Sequence, residues 1–316
     1  MDINILLALQ DFRNTAGSFL TDFFVKMTFF GELNTAIVIL ALIYWSVSKE
    51  LGTYLFMGWS GNRLVNGVLK ISLCAYRPWI RDARVLPYGN ALTTATGYSF
   101  PSGHTTNAAT IFGGGGLRKD LSKPLRVVLF LFLALVAFSR LFLGVHTPQD
   151  VLVGSCAGVL VMWATVHLMN WLSRHPEKDL MVALIGCALG VALALFAAFK
   201  SYPEDYNVEG KLIVDGAKMA TDTFKGSGYC IAFLIGWILE RRFVGFSTDI
   251  PVSQKLSRAV IGLLGYYAVS LILGALIKAW MPGAVGTTLS CFLQVFYVVF
   301  LFPLCAKRFE KTAAAA

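Results

Sequence analysis

Two histidines, two arginines, a lysine and an aspartate interrupt an otherwise apolar chain at three successive places: Lys70 with Arg77-Pro78, Ser102-Gly103-His104, and Ser139-Arg140 followed by His146 and Asp150. The middle group lies in the polar run GYSFPSGHTTN at 97–107. Pro101 is excluded from helix interiors but suits the first helical positions, Ser102 is an N-cap candidate, and 104–117 reads as helix. A helix N-terminus offers unpaired N–H groups and the positive end of the macrodipole, which favour an anion. Gly103 would let the backbone approach that anion, and His104 would set a titratable imidazole beside it. On its own this segment also fits a capped membrane helix with an interfacial histidine.

The other groups tip the balance. Ionisable residues at membrane depth are costly, about 2.5–3.5 kcal/mol each at a helix centre on insertion scales, so a convergent set needs a reason. Snorkelling accounts for one or two of them. Two arginines and a lysine at a helix N-terminus suit a multiply charged oxyanion, phosphate above all. His146-Thr-Pro-Gln-Asp150 has i, i+4 spacing on a helix whose Pro148 fits its first turn. The carboxylate can then accept from one imidazole nitrogen and leave the other free to attack. One histidine attacking phosphorus while the other protonates the leaving oxygen is a layout for in-line phosphoryl transfer, with the cations on the equatorial oxygens. Two histidines and an aspartate also suit a metal, but three cations alongside would repel a divalent ion.

These residues need helices to carry them through a bilayer. The chain has 316 residues, 56% hydrophobic and 14% charged, which points to an all-α, polytopic transmembrane bundle. Nine apolar spans are expected: 24–46, 52–73, 103–117, 125–143, 149–172, 180–199, 227–244, 258–280 and 285–306. The third is short, and the glycine-bearing break before it must be buried in protein. Gly113–Gly116 reads as close helix packing, since no strand precedes it and no Lys-Ser/Thr follows. The net charge of +9 is read as loop bias and not as a nucleic-acid footprint. The basic loops at 118–126, 174–178, 241–242, 255–258 and 307–311 are dense and should be cytoplasmic, leaving the N-terminus and the PSGH segment outside. The opening MDINILLALQDFRN has acids and no basic leader, and reads as an amphipathic surface helix rather than a signal peptide. The six cysteines (74, 156, 187, 230, 291, 305) lack metal-ligand spacing and are expected to pack in the core rather than form disulfides. The loop 200–225 is either a solvated connector or a lid.

Lys70-x6-Arg77-Pro78, Pro101-Ser102-Gly103-His104 and Ser139-Arg140-x5-His146-x3-Asp150 resemble, part for part, the signature of the type 2 phosphatidic acid phosphatase superfamily, the fold group shared with the vanadium haloperoxidases. The resemblance implies a six-helix core, taken as residues 1–200; residues 201–316, whose apolar spans add about three further transmembrane helices, depart from the compact members of the family. It implies a metal-independent phosphatase without a cofactor. His146 would form a phosphohistidine, Asp150 would orient it and His104 would be the general acid. Lys70, Arg77, Ser102, Gly103 and Arg140 would hold the phosphate. Implied partners are the bilayer and a lipid phosphate: phosphatidate, phosphatidylglycerophosphate, a polyprenyl diphosphate or a sphingoid-base phosphate. Localisation in a bacterial plasma membrane, with the site outward, fits that class. The SFPSGH context loosely resembles the sphingosine phosphate phosphatase branch.

Arg63 and Asn66 recur with Lys70 at i, i+3, i+7 and are expected to face inward, as support for the site or as inter-helix hydrogen bonds. Ser139 belongs with this supporting set. His167 and His175 lie toward the other end of the fifth span and read as interfacial packing. The C-terminal spans carry no catalytic group and could widen a lipid pocket or mediate homo-oligomerisation. A lipid phosphotransferase using the same phosphohistidine, a phosphatase for a soluble ester as in the glucose-6-phosphatase branch, and a transporter or scaffold with a retired site are the competing readings.

Overall fold

The computed structural model describes residues 2–89 and 91–310, so Lys311 and the closing alanines lie outside the described residues. Ten helices beyond the N-terminal α1 (Asp2–Thr15) matter here: α2 (Ser18–Phe29), α3 (Leu33–Val47), α4 (Lys49–Leu73), α5 (103–117), α6 (Lys123–Phe142), α7 (Pro148–Arg174), α8 (Pro176–Phe199), α9 (Gly216–Leu239), α10 (Val252–Trp280) and α11 (Ala284–Lys307). Among the described residues there is no strand; Tyr206 and Leu212 form an isolated antiparallel bridge. The fold is an all-α membrane bundle.

Helices α6, α7, α8, α10 and α11 are long and apolar enough to cross a membrane, and α2 with α3 is a further span if the pair, broken at 30–32, counts as one. That is fewer than the nine expected. Helices α4 and α9 have spanning length but carry charge along them, Arg63 and Lys70 in one, Asp222 and Lys225 in the other. Helix α6 shows how such a chain sorts its faces. Leu125, Val127, Val128 and Leu131 are exposed, whereas Val136, Ser139, Arg140 and Phe142 are buried. In lipid the apolar face needs no protein cover, so the polar side chains take the interior.

Two compact units emerge from the contacts. The first takes residues up to Ala36, Val65–Ala164 and Phe199–Met219; the second takes Ile37–Leu64, Thr165–Ala198 and the chain from Ala220 onward. In the first unit, Phe24, Ala91, Ala95, Phe142, Leu143 and Val145 form an apolar cluster beneath the turn that carries His146. Arg13 ties α1 to that turn, donating to the carbonyls of Phe142 (2.9 Å) and Leu86 (2.8 Å).

Small residues bring α5 against its neighbours. A methyl group at Gly158 would lie 2.5 Å from Ala109 Cβ, and one at Gly154 3.0 Å from the Ser102 carbonyl, so α7 crosses the start of α5 at backbone distance. The 113–116 run packs as expected: methyl groups at Gly115 and Gly116 would lie 2.9 Å from Leu129 and 2.6 Å from Phe130.

In the second unit, Trp45 Nε1 donates to the Val298 carbonyl (2.7 Å) and its ring packs on Phe302. Buried Glu240 pairs with Lys49 (2.6 Å), and Asp179 with Arg241 and Arg242. All six cysteines are free thiols, but only Cys230 and Cys291 are buried. Core packing therefore fails for the exposed Cys156 and Cys305, which sit on outward helix faces where apolarity serves lipid contact.

Candidate active site

The site lies within the first unit, around the N-terminus of α5. Ser102 caps that helix, its Oγ accepting from the Thr105 N–H (3.3 Å) and hydroxyl (2.9 Å). Pro101 stands before the cap, not in the first helical turn as the sequence suggested, because Ser102 itself keeps extended backbone angles. Helix α7 is stitched to the same point, since the Ser102 N–H donates to the Asp150 carbonyl (3.0 Å).

Asp150 Oδ2 collects three groups. It accepts from the Thr147 N–H (2.8 Å) and from the Ser99 hydroxyl, and it lies 3.2 Å from His146 Nδ1. With a proton on Nδ1 held there, Nε2 carries the lone pair, and it faces Arg77 Nη1 at 2.9 Å. Burial, with the Arg77 charge beside it, holds the His146 imidazole well below its ordinary value, which favours the neutral ring.

Arg77 is buried and held by backbone: Nε donates to the Gly97 carbonyl (3.0 Å), Nη2 to Thr96 (3.1 Å) and Nη1 to Val145 (3.0 Å). Burial lowers its pKa to about 10, which leaves it cationic at neutral pH. Lys70 Nζ donates to the carbonyls of Tyr98 and Pro101, both at 3.0 Å. The Ser99 N–H donates to the Ala75 carbonyl (2.7 Å), so the stretch before the cap is pinned to the chain that carries Arg77.

Arg140, fully buried, donates through Nη1 to Thr28 Oγ1; Nε and Nη2 find no hydrogen-bond partner among the described residues. His104 Nε2 is likewise buried without a partner among them. A methyl group at Gly103 would meet nothing within 4 Å, so the backbone at the helix start faces open space. Lys70, Arg77, Ser102, Gly103, His104, Arg140, His146 and Asp150 are thus brought together in one unit.

The supporting residues divide. Asn66 Nδ2 donates to Thr106 Oγ1 (3.1 Å), steadying α5. Ser139 Oγ donates to the Val136 carbonyl one turn back (2.6 Å) and is spent within α6. Arg63 belongs to the second unit, packed at Gly226 and in Coulombic range of Asp222 and Tyr229. The loop after α8 packs in the first unit: the Tyr76 hydroxyl bonds Asp205, and Met219 Sδ accepts from the Tyr98 N–H (3.5 Å).

Sequence reasoning passed over Ser99 and Thr28. Ser99 carried a faint signal, a serine three residues before the cap; Thr28 carried none.

Cations around two histidines at a capped helix start make a set suited to an oxyanion such as a phosphoryl group, and comparison with known proteins points to a phosphatase family. Residues 50–174 match the PAP2 superfamily, and residues 224–314 match the PAP2 superfamily phosphatase transmembrane extension. The chain belongs to the PAP2 superfamily and is a multi-pass integral membrane protein. It is similar to phosphatidylglycerophosphatase B of Bacillus subtilis (strain 168), with 33% identity over 135 residues, 40% of this chain and 62% of that protein. Phosphatidylglycerophosphatase B of Escherichia coli (strain K12) is 38% identical over 82 residues, 25% of this chain and 31% of that one. Glucose-6-phosphatase catalytic subunit 1 of Mus musculus is 27% identical over 202 residues, 55% of this chain and 56% of that one. The matched stretches thus span less than two thirds of each relative. No solved structure matches significantly.

Proposed function

We propose that this protein is a metal-independent phosphatase for a membrane lipid phosphate or diphosphate, working through a phosphohistidine at His146. The observation that carries the reading is the orientation of that imidazole, with Nδ1 at Asp150 and the Nε2 lone pair turned toward Arg77. The substrate phosphoryl group sits at the start of α5. There it meets the N–H groups beside Gly103, Lys70, and the guanidinium groups of Arg77 and Arg140.

His146 Nε2 attacks phosphorus as the bond to the leaving alkoxide or phosphate breaks, and the leaving oxygen takes the proton of His104. Asp150 stabilises the positive imidazole that forms, while the cations hold the equatorial oxygens. A water then gives its proton to His104 and attacks phosphorus. The P–N bond breaks, inorganic phosphate leaves and Nε2 regains its lone pair.

The lipid class is supported by the apolar helices and by the phosphatidylglycerophosphatase relatives. Residues 1–200 serve as the catalytic core and 201–316 as its extension, with the site on the outer face of a bacterial plasma membrane, in keeping with the loop charges. The glucose-6-phosphatase relative keeps a soluble ester as the second reading.

The test is phosphate release by the purified protein in detergent with EDTA present. The substrates are phosphatidate, phosphatidylglycerophosphate, undecaprenyl diphosphate, sphingosine phosphate and glucose 6-phosphate, with His146→Ala as control. Release from a lipid that the variant lacks supports the reading. Release from glucose 6-phosphate alone replaces the lipid class, and dependence on added metal overturns the mechanism.

A further inference from the structure

We infer that the break between α2 and α3 is part of the catalytic apparatus: Thr28 is a positioning residue for Arg140, and Gly31 sets the seat of His104. The assignment concerns how the site is built, and it rests on the phosphoryl-transfer reading only for the kinetic half of its test.

Arg140 reaches across 112 residues of sequence to donate to Thr28 Oγ1. Nε and Nη2 have no hydrogen-bond partner among the described residues, so the bond to Thr28 is the hydrogen bond that orients the fork there, with the charge of Glu32 in Coulombic range. A guanidinium recognises an oxyanion through paired, coplanar N–H groups, so its plane decides whether it binds two oxygens or one. Thr28 is itself buried in the last turn of α2, which makes it a rigid anchor.

Three residues on, the same break meets the proposed acid. A methyl group at Gly31 would lie 2.8 Å from both the Cβ and the carbonyl oxygen of His104, and 3.0 Å from Val136 Cγ1. The Gly31 carbonyl accepts from Asn107 Nδ2 (2.9 Å), one turn further along α5. The break is therefore clamped to α5 by a hydrogen bond and fits His104 with room for nothing larger than hydrogen. The fit is at the Cβ and carbonyl of His104, so it sets the root from which the ring projects, and Nε2 at the far end has no hydrogen-bond partner among the described residues. One short stretch thus governs a phosphate ligand at one end and the leaving-group acid at the other.

The two ends give different signatures. Thr28→Val, Thr28→Ala, Thr28→Ser and Gly31→Ala are prepared in the full chain. Each is assayed on phosphatidylglycerophosphate (a poor leaving group) and p-nitrophenyl phosphate (a good one), and for orthovanadate affinity by calorimetry. Thr28→Val and Thr28→Ala are expected to lower kcat/KM about tenfold on both esters alike and to weaken orthovanadate to match, as losing a hydrogen bond to a charged group does; Thr28→Ser restores most of it. Gly31→Ala should lower turnover of the phospholipid more than that of the aryl ester while orthovanadate affinity holds. Thr28→Ser as impaired as Thr28→Val, unchanged orthovanadate affinity in both Val and Ala variants, or equal losses on both esters in Gly31→Ala would overturn the assignment. Should the wild type bind orthovanadate yet hydrolyse neither ester, the proposed function falls. The Thr28 assignment is then decided on orthovanadate affinity alone.

Discussion

Ser99 donates its hydroxyl to the same Asp150 oxygen, Oδ2, that holds His146 Nδ1. Ser99 Oγ also lies 3.4 Å from His146 Nδ1, so hydroxyl, imidazole and carboxylate form one cluster, and the Thr147 N–H holds the same carboxylate oxygen at 2.8 Å. Ser99→Ala should lower kcat roughly tenfold, in line with one lost hydrogen bond to a charged group, and leave KM little changed. Steady-state kinetics on the active lipid decide it; a rise in KM at constant kcat would assign Ser99 to substrate binding.

The two histidines should fail in different ways. His146→Ala abolishes turnover and the acid-labile phosphoenzyme trapped from radiolabelled substrate. His104→Ala slows phosphoenzyme formation by about 10²–10⁴ for alkyl leaving groups and much less for p-nitrophenolate. Equal losses for both leaving groups would remove His104 from the acid role.

Gly103 faces open space, so an added methyl group strains nothing in the fold. Gly103→Ala should keep the wild-type melting temperature and lose most of its kcat/KM and its affinity for orthovanadate, because the methyl stands where the anion would lie. A variant that melts early but turns over normally once folded would make Gly103 a packing residue.

His146 must be neutral to attack, and its imidazole value is depressed by burial and by Arg77. A depressed value keeps the lone pair available as pH falls, so the acid limb of kcat/KM should lie below the ordinary imidazole range near 6.5. Between the ordinary value near 6.5 and that limb the unfolded chain binds the proton more readily than the buried ring does, so stability falls as pH falls across that window. A pH profile whose acid limb sits at or above 6.5 would contradict this setting of the nucleophile.

The site was legible because lipid makes polar residues conspicuous: Lys70, Arg77, His104, Arg140, His146 and Asp150 had few cheap alternatives in an apolar chain. The i, i+4 relation of His146 and Asp150 and the cap at Ser102 are local, and local geometry survives into the fold. Ser99 and Thr28 were not legible, since each acts only after distant segments meet. Ser99 meets Asp150 across 51 residues, and Thr28 meets Arg140 across 112. Gly154 and Gly158 spell a small-x3-small pattern that does predict close packing, yet nothing local names α5 as the partner. Helical periodicity set Arg63 and Lys70 on one face of α4. The contacts of Arg63 come from residues beyond 220, which periodicity cannot see.

The way Arg77 is held has a cost at the other end of the reaction cycle. Three carbonyl oxygens, those of Gly97, Thr96 and Val145, aim its guanidinium without cancelling its charge, as a carboxylate partner would. Under the proposed mechanism, what greets the incoming ester also greets the departing orthophosphate, which presents the same kind of oxyanion to the same cation. If the proposed chemistry holds, free phosphate should compete with the ester for this cradle, and the phosphate level around the site would then set how fast the protein can turn over.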